Sequence, residues 1–462
     1  MEPEEALVLF SKRFDNWQDL EEEEKGVVER ILDSMDHLPL AVVGSAAFMA
    51  ENGTSPSTYW SIFQKNDKRT KELLSEQFCD IQREVDMTES ILGTYFITFD
   101  RITEQMPLME KLLGLIAFLD RQNIPEELLT HSGVEGMDDS LKFCQAIGKL
   151  LRFSLVTEVK LEGATLYELH RLVQLSIQTY LSMEQASQGR ATGLRTVSRL
   201  FPEYEYKRRS VCAAYMSHAL VLTKDSTDTT AEDLVYRMGR HYFQMGSYNN
   251  AEIQARQCIV LREAGKMRDL EGVNSRVALL GAARLYQGRF KEAEVIFRKV
   301  LKDVENNSGL DHPNTSWVVN SLAVALREQA RYEESEVLNR RAMEGYEKCF
   351  GFNHSNTLMA SQNLARVLLV RGRYEESEVM NRRTLEGYEK CFGSNHPNTL
   401  LASQDLAQVL LVRGRCDESE AMGRRALEVF EKCLGSDHPD TLRAVDNLAL
   451  VLREQGRYDE SE

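Results

Sequence analysis

No run of apolar residues in the 462-residue chain approaches the roughly 20 that a membrane-crossing helix needs. The opening residues, MEPEEALVLF, are acidic and lack the positive n-region of a secretory signal. Basic residues are in deficit: 56 Lys and Arg stand against 72 Asp and Glu, a formal net charge of -16. A field of that sign repels phosphate, so neither nucleic acid nor an anionic membrane is an expected partner, although local basic pairs such as Arg340 and Arg341 exist. The eight cysteines follow no C-x-x-C spacing and no dense disulfide pattern, which predicts reduced thiols and a cytoplasmic protein. Cys349, Cys391 and Cys433 recur at one place in successive repeats. Packed helices lie roughly 8–10 Å apart, whereas a disulfide needs Cα atoms within about 7 Å, so these three are read as packing residues.

Chemistry is as sparse as positive charge. Ser, Cys and His never stand with a third partner at a recognisable nucleophile motif, so no catalytic residue is proposed and the chain is not read as an enzyme. His312, His354, His396 and His438 sit 42 residues apart. Zinc needs its nitrogen ligands within about 2.1 Å, and one site cannot gather equivalent residues from units a helix pair apart, so they are read as helix-start residues and no metal ligand is assigned.

What the chain has in abundance is repetition. Tyr248, Phe290, Tyr332, Tyr374, Cys416 and Tyr458 are also 42 residues apart. RYEESEVLNRRAMEGYEKCF at Arg331 to Phe350 and RYEESEVMNRRTLEGYEKCF at Arg373 to Phe392 differ at only three positions. A fixed period in this range marks stacked units, each burying its apolar face on the next. From Asn395 the unit reads as a helix begun by Pro397, with Leu400, Leu406, Ala407, Leu410 and Leu411 on one side. Gly414 and Arg415 turn the chain, and a second helix follows through Ala421, Ala426, Leu427 and Phe430. Ala293, Ser335, Ser377 and Ser419 are the small residues expected where the paired helices cross.

The preceding half is read as helices with one hairpin. Glu4 to Phe14, Glu21 to Met35, an apolar helix opened by Pro39, and one started by Ser55 and Pro56 come first. Ile97 to Ile102, Leu108 to Leu119 and Leu141 to Phe153 follow, then strands Ser154 to Val159 and Thr165 to Leu169 about a turn at Glu162 and Gly163. Three helices closed by a hairpin predict a winged helix, whose third helix offers only Lys142, Lys149 and Arg152 to nucleic acid. Residues 182 to 195 are small and polar and are read as a loop or helix start, and Val197 to Leu222 as helical again. The polar stretch Thr223 to Thr230 is taken as the boundary before the repeats.

These segments resemble the NB-ARC module of signal-transduction NTPases, in particular the fungal relatives of NOD-like receptors that carry tetratricopeptide repeats. The matches are EEALVLF at Glu4 to Phe10, LPLA at Leu38 to Ala41, and HRLVQ at His170 to Gln174. By that resemblance, Pro39 corresponds to a proline packed near the adenine of bound nucleotide, and His170 to a histidine that approaches the diphosphate in the ADP-bound state. The chain departs from the family in lacking G-x-x-x-x-G-K-[ST] and the acidic pair of a Walker-B strand. No cofactor is therefore expected on this chain alone, and ADP only where an ATPase core is supplied. The repeats resemble the long tetratricopeptide kind found in kinesin light chains, through GSNHPNTL at Gly393 to Leu400, NLA at Asn363 to Ala365 and at Asn447 to Ala449, and GRYEESE at Gly372 to Glu378.

The fold class expected is mainly α: a helical subdomain (residues 1–92), a winged helix (93–185), a helical linker (186–230) and a tetratricopeptide solenoid (231–462). Such grooves, by resemblance, hold an extended peptide with polar residues of the first helices. The matching positions are Ser321, Asn363, Asp405 and Asn447, with Arg366 and Gln408 one turn on; the amides can both donate and accept. The function expected is a protein- or peptide-binding scaffold or sensor arm of an intracellular NOD-like receptor. The alternatives are a nucleotide-dependent switch of which this chain is a fragment, and a cargo adaptor like kinesin light chain. Both ends read as cut, the last repeat as incomplete, and Leu448, Leu450 and Leu452 as an uncovered apolar side through which the chain would fray or self-associate.

Overall fold

The computed structural model describes residues 1–14, 17–35, 37–64, 85–161, 163–203, 209–224, 226, 228–265 and 270–461. Two units separate at Met1–Ser226 and Thr227–Glu462. In the first, helix α1 (Pro3–Ser11) starts with proline at its first turn and a reciprocal capping box between Glu2 and Glu5. Helix α2 (Glu22–Ser34) begins with three glutamates, which suit the positive end of the helix dipole. Helix α3 (Pro39–Asn52) buries Ala41, Val42, Ala46, Phe48 and Met49 and stops at Gly53 in the left-handed region. Helix α4, over residues 56–64, is capped by Ser55, whose Oγ accepts from the Thr58 N–H at 3.2 Å.

Helices α5 (Val85–Gln105) and α6 (Leu108–Ala117) lead to strand β1 (Ile124–Pro125), a short α7 (Glu126–Thr130), α8 (Ser140–Arg152) and strands β2 (Thr157–Leu161) and β3 (Ala164–Glu168). The sheet is antiparallel with order β1-β3-β2, and β1 pairs Ile124 with Tyr167. This is the winged-helix arrangement with one strand more than the hairpin read from sequence. Two residues ending in proline carry no alternation, and β1 went unseen for that reason. The first strand of the hairpin also starts later than expected. Ser154 has φ +54 and Leu155 N–H closes back on Leu150 at 2.9 Å, so the buried Leu155 and Val156 belong to the end of α8. Of the expected turn pair, Glu162 lies outside the described residues and Gly163 has φ +85. Arg152 pairs with Glu51 at 3.0 Å and Lys149 with Gln105, which occupies two of the three basic residues of α8.

Helices α9 (Arg171–Tyr180), α10 (Met183–Leu200) and α11 (Arg209–Thr223) complete the first unit. The stretch 182–195, read as a loop or helix start, is almost wholly inside α10. Ser182 and Gln185 form a capping box, and Gly189 lets α10 approach α6 so closely that a Cβ there would stand 2.3 Å from the Gly114 carbonyl oxygen. Small residues signal helix crossing here, not a loop. The helix expected to run from Val197 to Leu222 is broken, because Pro202 drives Phe201 to an extended conformation.

The second unit is built of helix pairs: α12 (Glu232–Gln244) with α13 (Tyr248–Ala264), α14 (Leu270–Tyr286) with α15 (Phe290–Ser308), α16 (Pro313–Glu328) with α17 (Tyr332–Phe350), α18 (Ser355–Val370) with α19 (Tyr374–Phe392), α20 (Pro397–Val412) with α21 (Cys416–Leu434), and α22 (Pro439–Glu454) with the short α23 (Tyr458–Ser461). Each helix packs on its neighbours in sequence. The repeated motif has a physical cause at nearly every position. The histidines are N-caps: Nδ1 of His312, His354, His396 and His438 accepts the N–H two residues on at 3.1–3.2 Å. Ser335, Ser377 and Ser419 are fully buried and donate to Ala323, Ala365 and Ala407 carbonyls at 2.7–2.8 Å, stapling the second helix to the first.

The last glutamate of RYEESE forms the joint between units. Glu378 accepts from Arg382 on its own helix at 2.9 Å and from Arg413 and Arg415 of the next unit at 2.5 and 3.0 Å. Glu252, Glu294, Glu336 and Glu420 repeat this joint along the array. Burial opposes the charge of Glu252, but hydrogen bonds from Arg256, Gln287 and Arg284 outweigh it and bring its carboxyl down to about 2.

Two expectations are corrected. Cys349 and Cys391 are exposed, not packed inside; each Sγ lies 3.1 Å from a junction carbonyl, Asp311 and Asn353 respectively. Leu448 and Leu452 are buried, Leu448 with Gly423 of α21 beside it, and of the three only Leu450 is half exposed. The array also curves back on itself: the turn at Gly246 lies against Pro439, where a Cβ would meet the ring at 2.6 Å.

Candidate functional site

The first helices of successive pairs present polar residues at i and i+3, hence on one face. Asn363 and Arg366 stand on α18, Asp405 and Gln408 on α20, and Asn447 on α22. The structure joins these five expected groove residues into two hydrogen-bonded groups, Asn363 with Arg366 and Asp405, and Gln408 with Asn447. Arg366 Nε donates to Asp405 at 2.8 Å and its Nη1 to Asn363 Oδ1 at 3.4 Å. Asn363 Nδ2 donates to Asn320 at 3.0 Å, and Gln408 Nε2 to Asn447 Oδ1 at 2.7 Å. Arg366, Asp405, Gln408 and Asn447 line a single open cavity of about 280 Å³, together with Arg327, Glu328, Leu369, Val370 and Arg443.

One role changes. Asn363 was expected to meet a peptide backbone, yet it is only 7 % exposed and both ends of its amide are engaged, so it orients Arg366 from beneath. Ser321, its counterpart in the preceding unit, donates to its own helix at Trp317 and takes no part. Residues overlooked in the sequence are Asn320, Gln362, Arg327 and Arg443. Gln362 donates to Asp405 at 2.6 Å, which doubles the support of that carboxylate. For Asn320, Arg327 and Arg443 a signal was available, since each differs from the residues at its equivalent positions in the neighbouring units; Gln362 gave none, because Gln404 repeats it.

Electrostatics at the site are uneven. Burial pushes the Arg366 guanidinium down, but the Asp405 carboxylate more than reverses that. Arg327 is held below its ordinary value, first by burial and then by the positive charge of Arg366. Its Nε and Nη2 donate to Glu328 at 3.0 and 2.6 Å, while Nη1 is buried with no acceptor among the described residues.

In the first unit, Pro39 is the exposed first residue of α3, and His170 is the exposed N-cap of α9, with Nδ1 accepting from Leu172 N–H at 3.2 Å. Among the described residues, no group of three or more His, Cys, Asp or Glu is placed to hold a metal, and no helix is long and apolar enough to cross a membrane.

Residues 274–348, 356–423 and 402–462 match the tetratricopeptide repeat family. The solenoid is a tetratricopeptide array. Residues 99–186, which contain the winged helix, match a domain of unknown function, DUF7779. A nucleotide-binding leucine-rich repeat (NLR)-like protein of the fungus Hyaloscypha variabilis is 31% identical over 246 residues, 50% of this chain and 24% of that protein. The chain thus spans about a quarter of that relative's length. Among solved structures, the array is similar to a putative kinesin light chain of Podospora anserina with nearly identical repeats (20% identity, TM-score 0.35, 43% of this chain and 94% of the other). A signal transduction ATPase with a tetratricopeptide sensor from Pyrococcus horikoshii gives 13% identity and a TM-score of 0.37, over 100% of this chain and 72% of the other. Both scores are below 0.5, so the tetratricopeptide assignment rests on the sequence match and the observed helix pairs.

Proposed function

We propose that the chain is a non-catalytic interaction protein, the sensor or scaffold arm of an NLR-like signalling receptor, and that its tetratricopeptide array binds an extended peptide segment of a protein partner. One observation carries this reading: polar side chains from four consecutive first helices, α16 to α22, converge on one open cavity, where a helical array otherwise buries apolar contacts. Arg366, Gln408 and Asn447 are half-buried there, with donors directed by their neighbours. Groups fixed in this way lose little side-chain entropy on binding.

The test is selection of peptides from a random library on the full chain, followed by calorimetry of the best binders. The reading expects micromolar peptides whose affinity falls about tenfold in Gln408→Ala or Asn447→Ala, the loss of one or two directed hydrogen bonds. Selected peptides that bind both variants as tightly as the parent chain would remove the cavity from the proposal.

A further inference from the structure

The repeats are so alike that a missing partner shows. Arg341, Arg383 and Arg425 hold one position in three successive second helices, 42 residues apart. The first two are satisfied within the chain. Arg341 donates to Glu305 at 2.6 Å. The guanidinium of Arg383 lies 3.3 Å from the centre of the Phe352 ring, which packs against buried Leu358 and Tyr388. Arg425 is exposed and has no hydrogen bond, ion pair or ring contact among the described residues.

What Arg425 lacks is a ring. The counterpart of Phe352 in its unit is Ser394, and the counterpart of Val379 is Ala421. Where these side chains have been lost there is a cavity of about 250 Å³, on the second-helix side of the array and lined by none of the groove residues. Leu385, Leu400 and Met422 give it an apolar wall, while Arg425 and Glu389 stand at it with opposite charges that select neither an anion nor a cation. Ser403 in the lining has also lost its partner: its counterpart Ser361 bonds to Thr384 at 3.0 Å, but Ala426 stands in place of that threonine. An apolar cavity of about 150 Å³ is enough to take benzene. A guanidinium is attracted to the face of an aromatic ring by the ring's quadrupole, and a thioether is a favourable neighbour for it.

We infer that this cavity is a socket for one aromatic side chain, phenylalanine or tyrosine, of a partner protein, stacked against Arg425 as Phe352 is stacked against Arg383. The preceding unit fills the place with a ring of its own, and this unit leaves it to a ring from outside. The socket uses other helix faces than the groove and stands or falls independently of the groove reading.

The test is methyl NMR on the full chain labelled at its methionine methyl groups, with the Met422 signal assigned by its loss in Met422→Leu. The probe is N-acetylphenylalaninamide and the apolar control N-acetylleucinamide. The ring current of a seated phenyl group should shift the Met422 signal saturably, with an affinity on the order of millimolar, the scale expected for burying one side chain. The leucine compound should neither give a comparable shift nor displace the phenylalanine compound at equal concentration. Ser394→Phe installs the residue that the preceding unit carries and should fill the socket from within: the Met422 signal shifts without probe and no longer responds to it. Arg425→Gln should weaken binding about two- to fivefold, the worth of an exposed cation–π contact. Lys348→Gln, at an exposed site on α17, should leave the response unchanged. A Met422 signal that ignores the probe, displacement by the leucine compound, a response that persists in Ser394→Phe, full affinity in Arg425→Gln, or an equal loss in Lys348→Gln would each overturn the inference.

Discussion

Replacing Ala330 by glycine should stabilise the array. Ala330 follows the end of α16 with φ +59, whereas the equivalent residues Gly246, Gly288, Gly372, Gly414 and Gly456 have φ between +73 and +78. The backbone demands this conformation: Arg331 N–H reaches back to Leu326 at 3.0 Å and Ala330 N–H to Arg327 at 2.9 Å, the paired bonds that close a helix C-terminus. A left-handed alanine costs roughly 1–2 kcal/mol, and glycine returns about 0.5–1 kcal/mol of that through the greater entropy of its unfolded state. The net gain is about 0.5–1 kcal/mol. For a unit of this size it raises the melting temperature by roughly 1–4 °C, measured by calorimetry on the full chain. Gly372→Ala is the mirror experiment, since no atom lies within 4 Å of a Cβ built there and only the conformation is changed. It should lose a similar amount. A lower melting temperature for Ala330→Gly, or shifts of the same sign in both variants, would refute the reasoning.

Other expectations follow from packing and charge. Gly189→Ala should destabilise the first unit by about 1–3 kcal/mol in urea unfolding, because the new Cβ meets the Gly114 backbone, which cannot step aside; Gly193→Ala, which meets only the Leu222 side chain at 3.0 Å, should cost less. Glu378→Ala should weaken the array by about 2 kcal/mol, since three arginines of two units lose a largely buried acceptor, while Glu376→Ala on the exposed surface should change it by no more than about 0.5 kcal/mol. Acidification should destabilise the chain from pH 6.5 downward. Burial holds His218 below its ordinary value of 6.5, with Nε2 bonded to the Asn123 carbonyl at 3.2 Å, so its stabilising contribution is complete above 6.5 and is lost as pH falls through the depressed folded-state value. Urea midpoints measured against pH should flatten in that window in His218→Asn.

The array was legible because its signals are redundant. Histidine, proline, glycine and small residues recur in register, and each proves to be a cap, a turn or a helix crossing. The groove was legible in part: Asn363, Arg366, Asp405, Gln408 and Asn447 do lie together, but sequence could not show that Asn363 is buried beneath Arg366. That distinction depends on the 43-residue offset of the bond from Asn363 to Asn320, which links neighbouring columns of the repeat. In the first unit, β1 was lost to brevity, the break at Phe201 was marked by Pro202 and overlooked, and α10 was misread because Gly189 and Gly193 meet residues far away in the chain.

The most direct test of the central claim is hydrogen–deuterium exchange of the full chain with and without a library-selected peptide. The account predicts slowed exchange concentrated in α18, α20 and α22, the helices that carry Arg366, Gln408 and Asn447. Protection confined to the second helices, α17, α19 and α21, or to the first unit would contradict it.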